Sequence, residues 1–139
     1  MPDGSPWPLI SIVTPSFNQG RYLEENLRSV LEQHYPRVEQ IVIDGGSTDE
    51  TREVLARYRG SLAHVISEPD RGQGHAINKG MALASGTLLT WLNSDDRLAP
   101  RALFAMALAF HRTGADLVAG VCQLFEEGKE TARHLAACR

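Results

Sequence analysis

The sequence predicts an α/β fold in which a mostly parallel sheet carries helices on both faces. Three observations favour it. Five β-rich runs alternate with four segments of helical periodicity. The fourth run is almost continuously apolar, and small polar residues follow each of the first four runs. With 139 residues and 15.3 kDa, the chain is long enough for one domain and too short for two ordinary ones.

The strands are predicted from short runs rich in β-branched and aromatic residues that lie between turn-forming residues. They are, in order, Leu9–Thr14, Val38–Asp44, Leu62–Ser67, Thr87–Leu92 and Asp116–Val121. Pro15 is expected to end the first strand. The fourth strand, TLLTWL, is expected to be covered on both faces, and right-handed crossovers follow from the alternation with helices.

The helices are predicted from apolar residues that recur on one face and from end signals. They are Arg21–Gln33, a helix that follows Ser47 and reaches Arg59, Gly72–Ala84, and Pro100–Arg112. The apolar face of the first helix consists of Leu23, Leu27, Val30 and Leu31. Ser47 and Glu50 form a capping-box pattern, and Pro100 is expected as the first residue of its helix.

Composition and charge narrow the class of protein. The net charge of −3 provides no basic field to attract nucleic acid or an anionic membrane. The longest apolar run, Ala102–Phe110, is far shorter than the about 20 residues that cross a bilayer, although peripheral membrane association stays open. The N-terminus lacks the features of a signal peptide, and Cys122 and Cys138 are interpreted as reduced, which predicts a cytoplasmic protein. Because Ala102–Phe110 is apolar on every side, another subunit or a missing segment is left open as its partner.

Polar residues are concentrated after the strands, where ligands bind in open parallel sheets. These segments are Thr14–Gly20, Asp44–Asp49, Glu68–Gly74 and Asn93–Asp96. Asp95 and Asp96 follow an uncharged strand, and adjacent carboxylates without nearby His or Cys suit Mg²⁺ or Mn²⁺. The alternative is that both only cap the next helix or form an Asx turn.

The glycine-rich stretch from Gly72 begins a helix and is only a weak match to a dinucleotide fingerprint. Ile77 replaces the third glycine, and the stretch follows the third strand rather than the first. A nicotinamide-dependent dehydrogenase is therefore disfavoured, although backbone N–H groups at a helix start can bind an anion. Lys79 on the same helix is either a ligand contact or a solvated surface charge.

Two long stretches are similar to the N-terminal half of the family 2 glycosyltransferases. They are SIVTPSFNQGRYLEENLRSVLEQHYPRVEQIVIDGGSTDET and EPDRGQGHAINKGMALASGTLLTWLNSDDRLAP, and the resemblance covers about Leu9 to Ala119. It implies the GT-A fold, a Rossmann-like three-layer αβα sandwich, here truncated. The implied nucleotide-diphospho-sugar-binding domain is 9–122, after an irregular lead-in at 1–8 and before a segment at 123–139 that the sequence leaves unassigned.

The resemblance further implies a donor site for a nucleotide sugar, with a UDP-sugar preferred. The implied nucleotide-binding residues are Thr14, Pro15, Ser16, Asn18, Asp44, Asp70, Arg71, Lys79, Asn93 and Ser94. Asp44, for example, can accept a hydrogen bond from the N3–H of uracil. Asp95 and Asp96 are the implied ligands of Mn²⁺ or Mg²⁺, which neutralises the departing diphosphate. The implied acceptor is a glycan or a lipid-linked acceptor in polysaccharide or surface-glycan synthesis.

Three departures from the family pattern qualify this prediction. Asn93 replaces the first carboxylate of the metal motif, and Gly45 stands where many members have a second Asp. No residue of 123–139 is a candidate general base, because its glutamates are interpreted as a solvated charge cluster. The sequence therefore predicts a metal-dependent, inverting hexosyltransferase that lacks its acceptor-binding half. A non-catalytic nucleotide-binding module or an inactive donor-binding fragment is the alternative.

Overall fold

The computed structural model describes residues 1–120, 122–126 and 129–135. The strands are β1 (Ile10–Ser16), β2 (Val38–Asp44), β3 (His64–Ser67), β4 (Leu88–Trp91), β5 (Cys122–Glu126) and β6 (Lys129–Leu135). The helices are α1 (Gly20–Leu31), α2 (Thr51–Tyr58), α3 (Gln73–Leu83) and α4 (Ala102–Thr113), with a short 3₁₀ helix at Arg59–Ser61. The first four strands form one parallel sheet in the order β3-β2-β1-β4, and β5 pairs with β6 in an antiparallel hairpin.

Helices cover both faces of the parallel sheet, so the fold has three layers, as predicted. On one face, Ile12 of β1 clusters with Val30 of α1 and Leu103 of α4, and a second cluster joins β2 to α1 and α2. On the other face, Val13 of β1 clusters with Ala76 of α3. Right-handed crossovers account for α1 and α2 on one face and α3 on the other, because the chain moves outward from β1 to β3 and then returns past β1 to β4.

Pro15 does not end the first strand, which continues to Ser16. Proline lacks a backbone N–H and normally disrupts a central strand. Here the pairing with β4 stops at Val13, while the pairing with β2 continues through Pro15 and Ser16. The Ser16 carbonyl accepts a hydrogen bond from Gly45 on the β2 side, so the proline nitrogen faces the side where β4 has already ended. The proline therefore costs no ladder hydrogen bond.

Two predictions about strands are wrong: that β4 is covered on both faces, and that a fifth strand lies at 116–121. The apolar run at β4 is not covered on both faces, since Leu89 is 54% exposed and Trp91 is 57% exposed. Within the described residues β4 pairs only with β1, and an apolar run alone does not distinguish a central strand from an edge strand. The predicted fifth strand is also absent, because residues 116–120 form no strand, and residue 121 lies outside the described residues. No described strand forms ladder hydrogen bonds with the backbone N–H and C=O groups of 116–120.

The helix boundaries differ from prediction where side chains have other partners. Ser47 does not cap α2, which begins at Thr51, because its hydroxyl donates to the buried Asp44 carboxylate. The side chain of Asp49 accepts the Thr51 N–H instead, at 3.1 Å. Similarly, α4 begins at Ala102 rather than at Pro100, after a residue in the left-handed conformation. In α1 the predicted apolar face is buried except for one residue, Leu31, which is exposed.

One side of the α4 segment packs inside the domain. Leu103 is fully buried, and Phe104 makes edge-to-face contacts with Trp7 and Tyr35 at centroid distances of 5.0 and 5.1 Å. The Tyr35 hydroxyl donates to the Pro8 carbonyl at 2.8 Å, and burial raises the pKa of Tyr35 to about 12. The lead-in predicted to be irregular thus closes one end of the core. Among the described helices, none has the length and apolarity needed to cross a bilayer.

A polar cluster holds the sheet edge opposite the predicted site. Glu39 of β2 accepts hydrogen bonds from the Ser11 hydroxyl, from the Ser85 N–H at 2.6 Å and from the Ser85 hydroxyl at 3.0 Å. The Ser11 oxygen in turn accepts the Gly86 N–H at 2.7 Å. Burial raises the pKa of Glu39, but the hydrogen bonds, led by that from Ser11, outweigh it and hold the pKa below its ordinary value of 4.5.

We expect the Glu39 cluster to make stability depend on pH in the acid range. Because the folded-state pKa lies below that of the unfolded chain, the carboxylate stabilises the fold above about pH 4.5, and this is lost as pH falls through the folded pKa. The urea midpoint of Glu39→Gln should therefore lie below that of the wild type at neutral pH, and the two should converge in acid. A difference between the two urea midpoints that is as large in acid as at neutral pH would contradict this expectation.

Candidate functional site

A cleft of about 500 Å³ lies at the carboxyl ends of the four parallel strands. The residues that line it come from the end of β1, from the loop after each strand and from the start of α3. They are Pro15, Ser16, Phe17, Gln19, Gly45, Pro69, Asp70, Gly72, Gln73, Ala76, Asn93, Ser94 and Asp95. Six of the residues implied by the family resemblance therefore line the cleft. They are Pro15, Ser16, Asp70, Asn93, Ser94 and Asp95.

The end of β1 and the loop after it contain an exposed aromatic ring and two buried polar atoms without partners. Phe17 is 61% exposed although it lines the cleft. The buried hydroxyl of Ser16 and the amide oxygen of Gln19 have no hydrogen-bond partner among the described residues. Buried polar atoms of this kind are costly unless a ligand or water satisfies them. The sequence indicated the loop as a whole, but it gave no reason to single out Phe17 or Gln19 within it.

Asp44 and Thr14 stand behind the cleft wall, and both are fully buried. The Asp44 carboxylate accepts hydrogen bonds from the N–H and hydroxyl of Ser47, and from the Ser67 hydroxyl at 2.6 Å. It thus ties the end of β2 to the end of β3. The Thr14 hydroxyl accepts a hydrogen bond from Gln40 at 3.0 Å. Both side chains are engaged within the protein, so their contribution to the cleft in this conformation is to hold its walls.

Asn18 joins the loops that follow β1 and β2. Its backbone N–H donates to the Ser47 hydroxyl at 2.8 Å, and its side-chain oxygen accepts the Thr48 N–H at 2.9 Å. The residue has a φ of +51°, a left-handed conformation that asparagine tolerates better than most residues. Asn18 does not line the cleft, but it fixes the relative position of two loops that do.

Asp70 and Phe17 lie close to the backbone of Gly45. A Cβ atom at Gly45 would lie 3.1 Å from Oδ2 of Asp70 and 3.3 Å from the Phe17 ring. Asp70 itself is held by the Gly72 N–H, which donates to Oδ1 at 2.7 Å. The carboxylate of Asp70 thus occupies the space beside Gly45.

The two predicted cations after β3 lie outside the cleft lining. Arg71 is exposed, and its backbone N–H donates to His75 Nδ1 at 3.2 Å. Lys79 of α3 forms an ion pair with Glu68 at 2.8 Å, and this hydrogen bond and charge hold the pKa of the Glu68 carboxyl below its usual value. Of the residues predicted after β3, Asp70 alone lines the cleft.

A turn after β4, Asn93–Asp96, contains the predicted metal motif. Its two carboxylates, Asp95 and Asp96, have different surroundings. The Asp96 N–H donates to the Asn93 carbonyl at 2.9 Å, which closes the turn. Asn93 accepts a hydrogen bond from Gln73 at 2.7 Å through its side-chain oxygen, and its amide nitrogen donates to Asp96 Oδ2 at 3.0 Å. Asp95 lines the cleft, and its carboxylate has no hydrogen bond or ion pair to any described residue. Sequence reasoning missed Gln73, since its bond to Asn93 exists only in the folded chain.

The described residues contain no group of three or more His, Cys, Asp or Glu side chains that could enclose a metal. A divalent cation that keeps several waters and shares its shell with phosphates needs only one or two protein carboxylates. Asp95 provides one unpaired carboxylate on the cleft wall. The residues present therefore fit Mg²⁺ or Mn²⁺ bound together with a diphosphate, with Asp95 as the protein ligand.

We expect Asn93→Asp to destabilise the turn at neutral pH. The new carboxylate would face the Asp96 carboxylate, to which the amide of Asn93 now donates at 3.0 Å. Repulsion between like charges raises the pKa of one partner, so the variant should lose about 0.5–1 kcal/mol at pH 7 after solvent screening and recover it toward pH 4. Unfolding of both proteins by urea at each pH measures this. An equal midpoint at pH 7 would contradict the assigned contact.

Comparisons with known proteins agree with this arrangement of strands and loops. The sequence model of "Glycosyl transferase family 2" matches residues 11–136. The glycosyltransferase TuaG of Bacillus subtilis (strain 168) is 38% identical over 122 residues, which are 81% of this chain and 48% of that protein. An uncharacterized glycosyltransferase of Mycobacterium tuberculosis (strain H37Rv) is 42% identical over 102 residues, which are 73% of this chain and 39% of that protein. The chain therefore spans half or less of the length of these curated relatives.

Solved structures share the fold. Residues 1–349 of TarS from S. aureus superpose with a TM-score of 0.71 at 26% identity, over 78% of this chain and 34% of that one. A complex of the same protein with UDP-GlcNAc gives a TM-score of 0.65 at 28% identity, over 75% and 31%. The mannosyltransferase PcManGT from Pyrobaculum calidifontis, in complex with GDP-Man and Mn²⁺, gives 0.62 at 29% identity, over 70% and 33%. With its parallel sheet, its cleft at the strand ends and these similarities, the chain belongs to glycosyl transferase family 2.

Proposed function

We propose that the chain forms the donor-binding part of an enzyme that transfers a sugar from a UDP-sugar to an acceptor hydroxyl. The observation that carries this proposal is the cleft at the strand ends. It combines an exposed aromatic ring, polar atoms without partners and an unpaired carboxylate on Asp95. Two of the similar solved proteins are in complex with UDP or UDP-GlcNAc, which supports uracil as the base, while a third is in complex with GDP-Man.

In this proposal the loop after β1 binds the nucleoside. The exposed ring of Phe17 offers a stacking surface for a base, and stacking on an aromatic ring is worth roughly 1–3 kcal/mol. Polar groups of the ligand would supply the missing hydrogen-bond partners of the Ser16 hydroxyl and the Gln19 amide oxygen. Asp70, held beside Gly45, accepts hydrogen bonds from the base or the ribose.

Behind these contacts, buried groups keep the walls in place. Thr14, Asn18 and Asp44 fix the loops through the hydrogen bonds described above. The positive charges of Arg71 and Lys79 lie on the loop and helix that follow β3, and in this proposal they favour the negatively charged diphosphate.

The diphosphate end of the donor is proposed to lie at the turn after β4. Pro15, Asn93 and Ser94 line that part of the cleft, and Asp95 is the proposed metal ligand, with Asp96 beside it in the turn. A divalent ion bound there, Mn²⁺ or Mg²⁺, would stabilise the charge that develops on the leaving nucleoside diphosphate. We choose Asp95 as the metal ligand because it is the carboxylate of the turn that lines the cleft and has no partner among the described residues.

The acceptor is proposed to be a glycan or a lipid-linked acceptor in surface-glycan synthesis, with inversion at the sugar carbon. The support comes from relatives named for biosynthetic pathways: TuaG is named for teichuronic acid biosynthesis, and a "PGL/p-HBAD biosynthesis glycosyltransferase" of Mycobacterium bovis is 34% identical over 118 residues. Inversion requires a general base for the acceptor hydroxyl. We assign that base to no residue of this chain.

Thermal unfolding in the presence of UDP, GDP, dTDP and NAD, each with and without Mn²⁺, tests the proposal. A ligand at 100 times its Kd stabilises a fold by about 2.7 kcal/mol, so binding is readily measured. We expect UDP with Mn²⁺ to raise the midpoint most. No shift with any nucleotide in the presence of metal would refute the donor site, and a shift with NAD alone would replace it with a dinucleotide site.

Donor binding without transfer is the second candidate function. It is favoured by the cleft lining, in which Asp70 and Asp95 are the only carboxylates among the described residues. Both already have roles toward the donor in the proposal. Release of free UDP from UDP-sugars, with and without added polysaccharide or lipid-linked acceptors, distinguishes the two. Donor-dependent thermal stabilisation without UDP release would favour a binding module.

A further inference from the structure

We propose that Asn26 is a positioning residue, which holds the turn of Asn93–Asp96 and thereby sets the place of Asp95 on the cleft wall. The inference rests on the proposed function, because it gives Asp95 its task. Asn26 is a buried polar residue of α1, a helix whose buried face is otherwise mostly apolar. It does not line the cleft.

The side chain of Asn26 bonds both ends of the turn at once. Its amide nitrogen donates to the Asn93 carbonyl at 2.8 Å and to the Asp96 carbonyl at 2.9 Å. The Asp96 N–H closes the same turn by donating to the Asn93 carbonyl. With its first and last residues held by one fully buried group, the turn presents Ser94 and Asp95 toward the cleft.

The other end of the amide is anchored in the centre of the sheet. The side-chain oxygen of Asn26 accepts a hydrogen bond from Gln40 of β2 at 3.1 Å, and the same Gln40 nitrogen donates to Thr14 of β1 at 3.0 Å. All three side chains are buried. The turn that carries Asp95 is thus connected through Asn26 to the two central strands rather than only to its own strand, β4.

An asparagine is well suited to this position, because an amide donates twice through nitrogen and accepts through oxygen. Leucine has a similar size but would remove the amide donor from both carbonyls, leaving that of Asn93 with the Asp96 N–H alone, and aspartate would place negative charge against them. Ser29, one helical turn further along the same face, offers a matched control. Its hydroxyl accepts the Leu98 N–H at 3.1 Å, so it holds the chain beyond the turn and not the turn itself.

The test compares Asn26→Leu with Ser29→Ala in two measurements on the whole chain. The first is hydrogen exchange of the Asp96 amide, which needs no nucleotide. We expect it to accelerate about tenfold or more in Asn26→Leu and to stay near the wild-type rate in Ser29→Ala. The second is UDP affinity with and without Mn²⁺. We expect Asn26→Leu to lose about tenfold of the Mn²⁺-dependent gain, while its metal-free UDP affinity stays within about twofold of wild type.

A folded Asn26→Leu protein that keeps the full Mn²⁺-dependent gain overturns the proposal. If that variant does not fold, Asn26→Ser takes its place, since a serine hydroxyl is too short to reach both carbonyls. In the wild type, an Asp96 amide that exchanges at the rate of an unprotected one overturns the proposal without any variant. If wild-type protein binds no UDP in Mn²⁺, the proposed function fails, whereas the exchange rates still decide whether Asn26 holds the turn.

Discussion

Replacing Asp95 with alanine should abolish the Mn²⁺-dependent part of UDP binding while leaving the fold intact. The carboxylate has no hydrogen bond or ion pair to the described part of the protein, so its removal breaks no contact within the fold. At UDP concentrations near 100 times the Kd, bound UDP stabilises the fold by about 2.7 kcal/mol in total, or roughly 8 °C in the unfolding midpoint, and this is the upper bound of the loss. Thermal unfolding with UDP, with and without Mn²⁺, measures the effect.

Asp116 provides the control for this experiment, because it is exposed and lies outside the cleft lining. Asp116→Ala should keep the full metal-dependent shift. Asp96→Ala should show a smaller loss than Asp95→Ala, since Asp96 is already bound by Asn93. If Asp96→Ala were the variant that lost metal-dependent binding and Asp95→Ala kept it, the assignment of the two carboxylates would have to be exchanged.

Two glycine-to-alanine changes in α3 should affect stability in opposite directions. A Cβ atom at Gly80 would collide with Val13 of β1, with one methyl carbon only 2.9 Å away. Val13 is fully buried, so it cannot move aside, and overpacking of this kind costs about 1–3 kcal/mol. A Cβ atom at Gly74 meets nothing within 4 Å, and the helix propensity of alanine then adds up to about 1 kcal/mol of stability.

Urea unfolding of Gly80→Ala and Gly74→Ala measures the two effects. Helix propensity offsets part of the loss at Gly80, so we expect Gly80→Ala to lie below the wild type and Gly74→Ala at or above it. Equal midpoints for the two variants would mean that α3 does not approach β1 as closely as described. The same close approach brings the start of α3, with Gln73, to the edge of the cleft.

The sequence predicted those parts of the fold that depend on local pattern. The alternation of strands and helices was sufficient to predict the parallel sheet and its layers, and the polar residues after each strand predicted the cleft that contains Ser16, Asp70 and Asp95. The exposure of Leu89 in β4 could not be predicted, because an apolar run is the same whether its strand lies at the centre or at the edge of a sheet.

Contacts between distant parts of the chain were beyond the reach of the sequence. Asn26 and Asn93 are 67 residues apart, and Gln73 and Asn93 are 20 residues apart, yet these bonds hold the turn. Asp44 was predicted from the resemblance as a nucleotide contact, but its carboxylate is occupied by Ser47 and Ser67 in the folded chain. The UDP affinity of Asp44→Asn, compared with that of the wild type, tests whether the Asp44 carboxylate also contacts the base.

Trp91, at the exposed end of β4, provides an intrinsic fluorescence probe. The chain has two tryptophans, and Trp7 is packed edge-to-face against Tyr35 and Phe104, whereas Trp91 is exposed two residues before Asn93. Acrylamide or iodide should quench the fluorescence of Trp91 far more than that of Trp7. A Trp7→Phe variant would therefore isolate an emission signal that adjoins the Asn93–Asp96 turn. Titrating that signal with nucleotide and metal would follow binding in real time, without a label.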